Sequence, residues 1–519
     1  MRRPVREKGV RGARRAALLW ALTVGLAASA VGPLQAQWLW PTAQFDNGRT
    51  GWNWGEYLLT PDTVSPATFG KKWTRALDGQ VYGSPLYFAG WVYVATENNL
   101  IYALDAETGQ DLWALPYNLG LPALRSQLSC GNITPNVGIT GTPVLDLETF
   151  TLYAVGLTRS PLVYKLAAVD MFTGEPLPGF PVTIAPPVSP GITPANTSQR
   201  GALVLANGIV YVGFGGYFGD CGSYHGWVVG LDAYNPTTPQ LYYRTPGTTT
   251  HRGSGVWAAG GLSADEYGFV YASTGNSFSA PAGGPDYSNA VLRLYPDLTF
   301  TGDPADFFVP SNWRALNSAD ADLGSSPAML IPPQFGSITP SMVFITGKRG
   351  AGHLLNRDYL GGLGTGDGIN REGIYSRQVY SSAFSTAAYY QDDAVGSILY
   401  LSGRGTHPGC VPNGSVAAMQ LEVDADGNSS YRTLWCVGPG TAQSPVVTSY
   451  FGQGGVLWVV TSAGTLYAFN SVTGQPLYNS GQVAGDALGA ARALGHFAVA
   501  DGRVFVPTSA NNFVAYGLR

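Results

Sequence analysis

Four side chains stand out for what their types can do: Trp257, Asn276, Asp322 and Lys348. A carboxylate and an amide supply hard oxygen ligands, a carboxylate can take a proton, an ammonium can hold negative charge, and an indole offers a flat apolar face. Upstream of them runs Gly215-Gly216-Tyr217-Phe218-Gly219-Asp220-Cys221, a glycine-rich loop ending in a carboxylate and a thiol. Each residue also has a plainer use. Trp257 suits a core, Asn276 after Gly275 suits a turn, Asp322 can cap a turn, and Lys348-Arg349 can be a solvated pair. They become a site only if the fold gathers them. His225, in Tyr224-His225-Gly226-Trp227, and His251, before Arg252, are the nearest histidines and are expected to make structural hydrogen bonds. No His/Cys/Asp cluster has transition-metal spacing, and there is no phosphate-cradling glycine loop and no nucleophile elbow.

The elements that must position these groups are strands. The 519 residues are 45% hydrophobic and only 12% charged, with 69 Gly and 36 Pro, a composition rich in core and turn formers and poor in helix-surface charge. The clearest unit spans residues 83–113. It reads Gly-Ser-Pro, then Trp91-Val-Tyr-Val-Ala-Thr, a hairpin at Asn98-Asn99, then Leu100-Ile-Tyr-Ala-Leu-Asp-Ala-Glu-Thr-Gly109, with a turn into an outer strand ending at Trp113. Variants recur over residues 141–177, 202–243, 255–296, 325–360, 384–435, 444–478 and 489–516. The chain is therefore expected to be all-β, an eight-bladed β-propeller of four-stranded blades spanning residues 37–519 as one domain. The last unit lacks its outer strand, whereas residues 69–77 form an outer strand with no blade before it. The N-terminal strand should complete the last blade and remove the exposed edges.

In such a blade the approach to the innermost strand and the loop between the second and third strands lie at the same end of the axis. Three successive blades bring the unusual residues there: the 215–221 loop from the third, Trp257 and Asn276 from the fourth, Asp322 and Lys348 from the fifth.

Here the sequence resembles the pyrroloquinoline-quinone (PQQ) repeat superfamily and its quinoprotein alcohol dehydrogenases. Gly255-Val-Trp257, Asp265-Glu-Tyr-Gly-Phe-Val-Tyr271 and Thr274-Gly-Asn276 are similar to the stretch whose Trp floors the quinone and whose Asn binds its metal. Asp320-Ala-Asp322, Gly347-Lys-Arg-Gly350 and Leu355-Asn-Arg-Asp358 resemble the catalytic-Asp segment and the cationic residue beside the quinone. The resemblance covers most of residues 60–519. It implies PQQ and calcium as cofactors, Trp257, Lys348, Gly215 and Gly216 against the quinone, Asn276 and Asp322 on the metal, and Asp322 as the base taking the alcohol proton.

Two departures stand against this pattern. The family's metal-binding Glu falls at Tyr217, with Asp220 as a substitute, and no two cysteines are neighbours to form the pair that caps the quinone. No Cys-x-x-Cys-His attaches a haem, so electrons from any reaction must leave through a separate carrier. A second function therefore stands beside the dehydrogenase: a non-catalytic binding propeller with a cell-envelope protein as partner, similar to the outer-membrane assembly propeller.

Seven Arg and Lys residues precede the apolar run 16–31, and Ala36 is a small residue at a cleavage position, so residues 1–36 read as a signal peptide and the mature chain as periplasmic or extracellular, without a membrane span. Export makes the four cysteines disulfide candidates with three connectivities; Cys130 with Cys221 and Cys410 with Cys436 are favoured because they lie in neighbouring repeats and around one repeat. The net charge of -4 and the lack of a basic stripe exclude a nucleic-acid partner.

Overall fold

Short runs of alternating apolar and aromatic residues, punctuated by Gly, Asn and Asp turns, fold into eight mainly antiparallel sheets arranged as propeller blades. The structure is a computed structural model and describes residues 37–245, 252–278, 284–405, 409–410, 414–492 and 495–519; the segment read as a signal peptide and His251 lie outside these. The innermost strands, from the first blade to the eighth, are Leu86–Phe88, Val144–Asp146, Val204–Ala206, Ser263–Ala264, Met329–Ile331, Ala388–Asp392, Val446–Tyr450 and Ala498–Ala500. As expected, the ends of the chain share the eighth blade. Phe69–Ala76 pairs antiparallel with Asn512–Leu518, Phe69 opposite Leu518 and Ala76 opposite Asn512.

A repeated lock joins neighbouring blades. Asp105, Asp170 and Asn470 each accept hydrogen bonds from the backbone amides two and three residues further on, forming turns that end in Gly109, Gly174 and Gly474 with φ of 70°, 74° and 72°. Onto these glycines stack Trp73, Trp113 and Trp435 of the preceding blades, and the indoles donate to Ala106 O at 3.0 Å, Met171 O at 3.1 Å and Ser471 O at 3.2 Å. This duty displaces one expectation. Trp113 does not end the outer strand of the first blade but is buried in the lock, and that strand's pairing resumes at Tyr117–Asn118.

Residues 37–56, which carry no repeat, run through the axis. Leu39–Trp40 adds to the inner edge of the first blade and Trp52–Asn53 runs parallel to Val447–Thr448 of the seventh. Between and beyond these, Pro41 O, Asn47 O, Gly48 O and Thr50 O accept from Leu145, Ala264, Leu330 and Tyr389 of blades two, four, five and six, and Asn53 donates to Val499 O of the eighth. Arg49 is 0% exposed, and its guanidinium donates to Leu203 O at 2.9 Å and Leu262 O at 2.7 Å, beside blades three and four. The segment thus bonds to all eight blades. A buried arginine is tolerated because carbonyls converge on its donors.

Both favoured disulfides form, Cys130–Cys221 between the second and third blades and Cys410–Cys436 within the sixth, each with Cα atoms 5.7 Å apart. Among the described residues no helix is long and apolar enough to cross a membrane.

Candidate functional site

At the end of the axis where the chain approaches the inner strands lies a cavity of about 1280 Å³. Trp257, Asn276, Asp322 and Lys348 all line it, as does Gly216. Trp257 does not stand on an inner strand, as expected, but on the approach to Ser263–Ala264, where it is half-buried with its ring toward the cavity. Glycine makes this possible. A Cβ on Gly215 would stand 3.0 Å from Trp257 Cβ, and one on Gly255 would stand 2.9 Å from Gly215 Cα, so the third and fourth blades meet backbone to backbone behind the indole. Gly215 therefore supports the wall.

Asp322 is 3% exposed. One carboxylate oxygen accepts from the Asn276 backbone N–H, and the other lies 2.5 Å from Lys348 Nζ, which also reaches Asp320 at 2.8 Å. A Cβ on Gly275 would meet both Asp322 Oδ1 and Trp257 Nε1 at 2.8 Å, so the fourth-blade loop closes tightly over both groups. Burial pushes the Asp322 carboxyl above the usual aspartate range, against the pull of Lys348. Burial acts on Lys348 in the direction of proton loss, and the Asp322 and Asp320 charges outweigh it and raise its value. The Lys348 ammonium also lies 5.5 Å from the centre of the Trp257 ring.

Asn276 is 7% exposed, and its carboxamide has no hydrogen-bond partner among the described residues. Asp220, at φ 49°, lines the same cavity and accepts from Tyr224 OH at 2.6 Å. Tyr217 meets the cavity with its ring, but its hydroxyl turns away to Tyr164 OH at 3.0 Å and Pro194 O at 2.9 Å. Among the described residues no three His, Cys, Asp or Glu side chains are close enough to hold a metal by themselves. His225 lies apart from the cavity lining, half-buried, and burial lowers its value.

Sequence reasoning missed other lining residues. Arg200 stacks 5.9 Å from the centre of the Trp257 ring and makes no ion pair among the described residues. It lies on the approach to the inner strand Val204–Ala206, as Asp322 lies on the approach to Met329–Ile331, so the rule that singled out Asp322 points to it as well. Arg252, Arg314 and Asn317 add polar groups to the lining, and Phe218, Phe278 and Phe384 add aromatic ones. Phe278 is covered by Arg252 at 4.3 Å. The arrangement offers a flat aromatic wall, cations for an anionic ligand, uncommitted amide oxygen, and a buried carboxylate.

A family model described as outer membrane protein assembly factor BamB matches residues 63–138. Over 277 residues the chain is 25% identical to quinohemoprotein alcohol dehydrogenase ADH IIB of Pseudomonas putida, a match that takes in 48% of this chain and 37% of that relative's length. Among solved structures, a quinohemoprotein alcohol dehydrogenase from Comamonas testosteroni superposes with a TM-score of 0.63 at 15% identity, covering 96% of this chain and 84% of that one. A europium-containing methanol dehydrogenase follows at 0.61 and 15%, covering 92% and 98%. BamB from Moraxella catarrhalis gives 0.51 and 13%, covering 86% and 99%. With its eight blades and one matched repeat, the chain is an eight-bladed β-propeller that is similar to PQQ-repeat propellers and to the quinohemoprotein alcohol dehydrogenases among them.

Proposed function

We propose that this chain is an exported dehydrogenase of the cell envelope that uses PQQ and calcium to oxidise an alcohol group and passes the electrons to a separate carrier. The observation that carries the reading is the pairing of the open Asn276 carboxamide with the buried Asp322 carboxylate beside the exposed face of Trp257, in one cavity.

The side chains fit the cofactors by chemistry. Trp257 suits a planar ring, and Arg200 and Lys348 suit an anionic one. Asn276 and Asp322 are the oxygen donors for a hard cation, with Asp220 on the same wall in place of the carboxylate that Tyr217 does not supply. With so few protein carboxylates in reach, a cation would be held less tightly here. PQQ, when bound, would supply a two-electron acceptor for the hydride of the alcohol carbon.

Asp322 takes the hydroxyl proton as that hydride leaves, a task helped by the burial that raises its proton affinity. Lys348 holds Asp322 in place and supplies positive charge as electrons arrive.

The test is reconstitution of purified protein with PQQ and calcium, followed by reduction of an artificial acceptor with a panel of alcohols. Asp322→Asn keeps a ligating oxygen and removes the base, so it should retain cofactor and lose turnover. Absence of PQQ binding at micromolar concentrations would reject the dehydrogenase and leave the envelope-binding propeller.

A further inference from the structure

We infer that Asn317, at the end of the short helix Trp313–Ser318, is the positioning residue that sets Asn276 against Asp322. The inference rests on the proposed use of those two residues as cation ligand and base. The helix is pinned by the buried Trp313 and Leu316 and delivers Asn317 to the cavity wall.

All four hydrogen-bonding positions of the Asn317 carboxamide are used. Its oxygen accepts from Ser277 N at 2.9 Å and from Asn289 Nδ2 at 2.7 Å; its nitrogen donates to Ser277 Oγ at 3.1 Å and Ser288 Oγ at 3.0 Å. The amide cannot be flipped, because a backbone N–H can only donate. Both serine hydroxyls are in turn anchored on the buried Asp286, at 2.5 Å each.

From this one side chain two arms reach the proposed reacting groups. One passes through Ser277 to Asn276, whose backbone N–H donates to Asp322. The other passes through Asn289, whose side-chain oxygen accepts from Leu323 N at 2.9 Å, fixing the residue after Asp322. Asn289 is itself at φ 50° and donates from its backbone to Gly275 O at 2.9 Å. The two arms close a ring around the Asn276 and Asp322 pair. Partners of this kind orient the groups that bind a cation, and their loss commonly costs about 10–100-fold in affinity or activity.

The test uses the full-length secreted chain and two readouts. Calcium uptake by the protein without PQQ, followed by calorimetry, is assigned to this cavity as the part that Asp322→Ala removes. Asn317→Ala should weaken that uptake about tenfold or more, and in the reconstituted enzyme it should lower kcat by a similar factor with KM for the alcohol unchanged. Asn317→Asp keeps the two accepting bonds while placing a second negative charge near Asp286, so it should recover most of the calcium affinity and kcat although it folds less stably. A purely structural Asn317 would show the reverse, with Asn317→Asp worse than Asn317→Ala in every measurement. Unchanged calcium affinity in Asn317→Ala would overturn the inference, and so would the absence of any Asp322-dependent calcium uptake. If calcium binds and PQQ does not, the dehydrogenase reading fails while the role of Asn317 stands.

Discussion

Lys348 and Asp322 are joined twice: ammonium to carboxylate at 2.5 Å, and Lys348 N–H to Asp322 carbonyl at 2.8 Å. The backbone bond holds the loop between the second and third strands of the fifth blade against the approach to its inner strand. The side-chain bond then places a cation on a carboxylate that is 3% exposed.

Removing the ammonium leaves that carboxylate without its close cation. Lys348→Ala should therefore destabilise the protein by about 2–3 kcal/mol. In a double-mutant cycle followed by urea unfolding, Asp322→Asn on the Lys348→Ala background should restore much of the loss. Independent, additive effects of the two substitutions would contradict the coupling.

Gly275 is where the fourth blade leaves no room. In Gly275→Ala the added methyl would stand 2.8 Å from both Asp322 Oδ1 and Trp257 Nε1, so one of them must move. The cost should be about 1–3 kcal/mol in stability, accompanied by loss of PQQ binding, measured by fluorescence quenching of tryptophan. An alanine variant that binds PQQ like the wild type would show that the close approach is irrelevant to the site.

Glu56 predicts a pH dependence of folding. It is buried, accepts from Leu58 N, Leu59 N and Gly502 N, and burial pushes its carboxyl from 4.5 up to about 7. The folded state then holds the proton more tightly than the unfolded chain. This stabilisation is complete below about pH 4.5 and is lost as pH rises through about 7, an effect on the order of 3 kcal/mol. Glu97, also raised to about 7 by burial, acts with the same sign. Urea unfolding of wild type and Glu56→Gln across this range should show a shallower decline in the variant; parallel curves would count against the assignment.

The two disulfides should differ in weight because they close loops of different length, 91 and 26 residues of separation. Loop-closure entropy gives roughly 4.5 and 3.5 kcal/mol. The Cys130→Ser/Cys221→Ser variant should therefore unfold at lower urea than Cys410→Ser/Cys436→Ser. It should also weaken ligand binding, because Cys221 ends the loop that carries Phe218 and Asp220 into the cavity. Equal midpoints with unaltered binding would refute both parts.

Much of the architecture was legible in the chain because a blade is a local object. The alternation of Trp91-Val-Tyr-Val-Ala, the Asn98-Asn99 hairpin and the Thr108-Gly109 turn are decided within a few residues, and their recurrence implies the ring. The same locality led to Trp257, Asn276, Asp322 and Lys348, since the approach to a first strand and the loop after a second strand must share one end of the axis. The orphan strand at Phe69–Ala76 had a predictable partner because an unpaired edge at the other terminus required one.

Tertiary structure decided whatever depends on partners from distant blades. Nothing periodic marks residues 37–56, and only the assembled ring offers the carbonyls of Leu203 and Leu262 that let Arg49 be buried on the axis. Trp113 looked like the end of a strand until Gly174 of the next blade took its ring. Tyr217 could have supplied a cavity-facing hydroxyl from its place in the sequence, but Tyr164 and Pro194, brought in by the second and third blades, turn that hydroxyl away. Asn317 lies 40 residues from Ser277, and its role exists only because a short helix folds back onto the fourth-blade loop. Strand period and turn chemistry are short-range and written in order along the chain; the direction a buried polar group faces is set by whichever donors and acceptors the closed ring brings within about 3 Å.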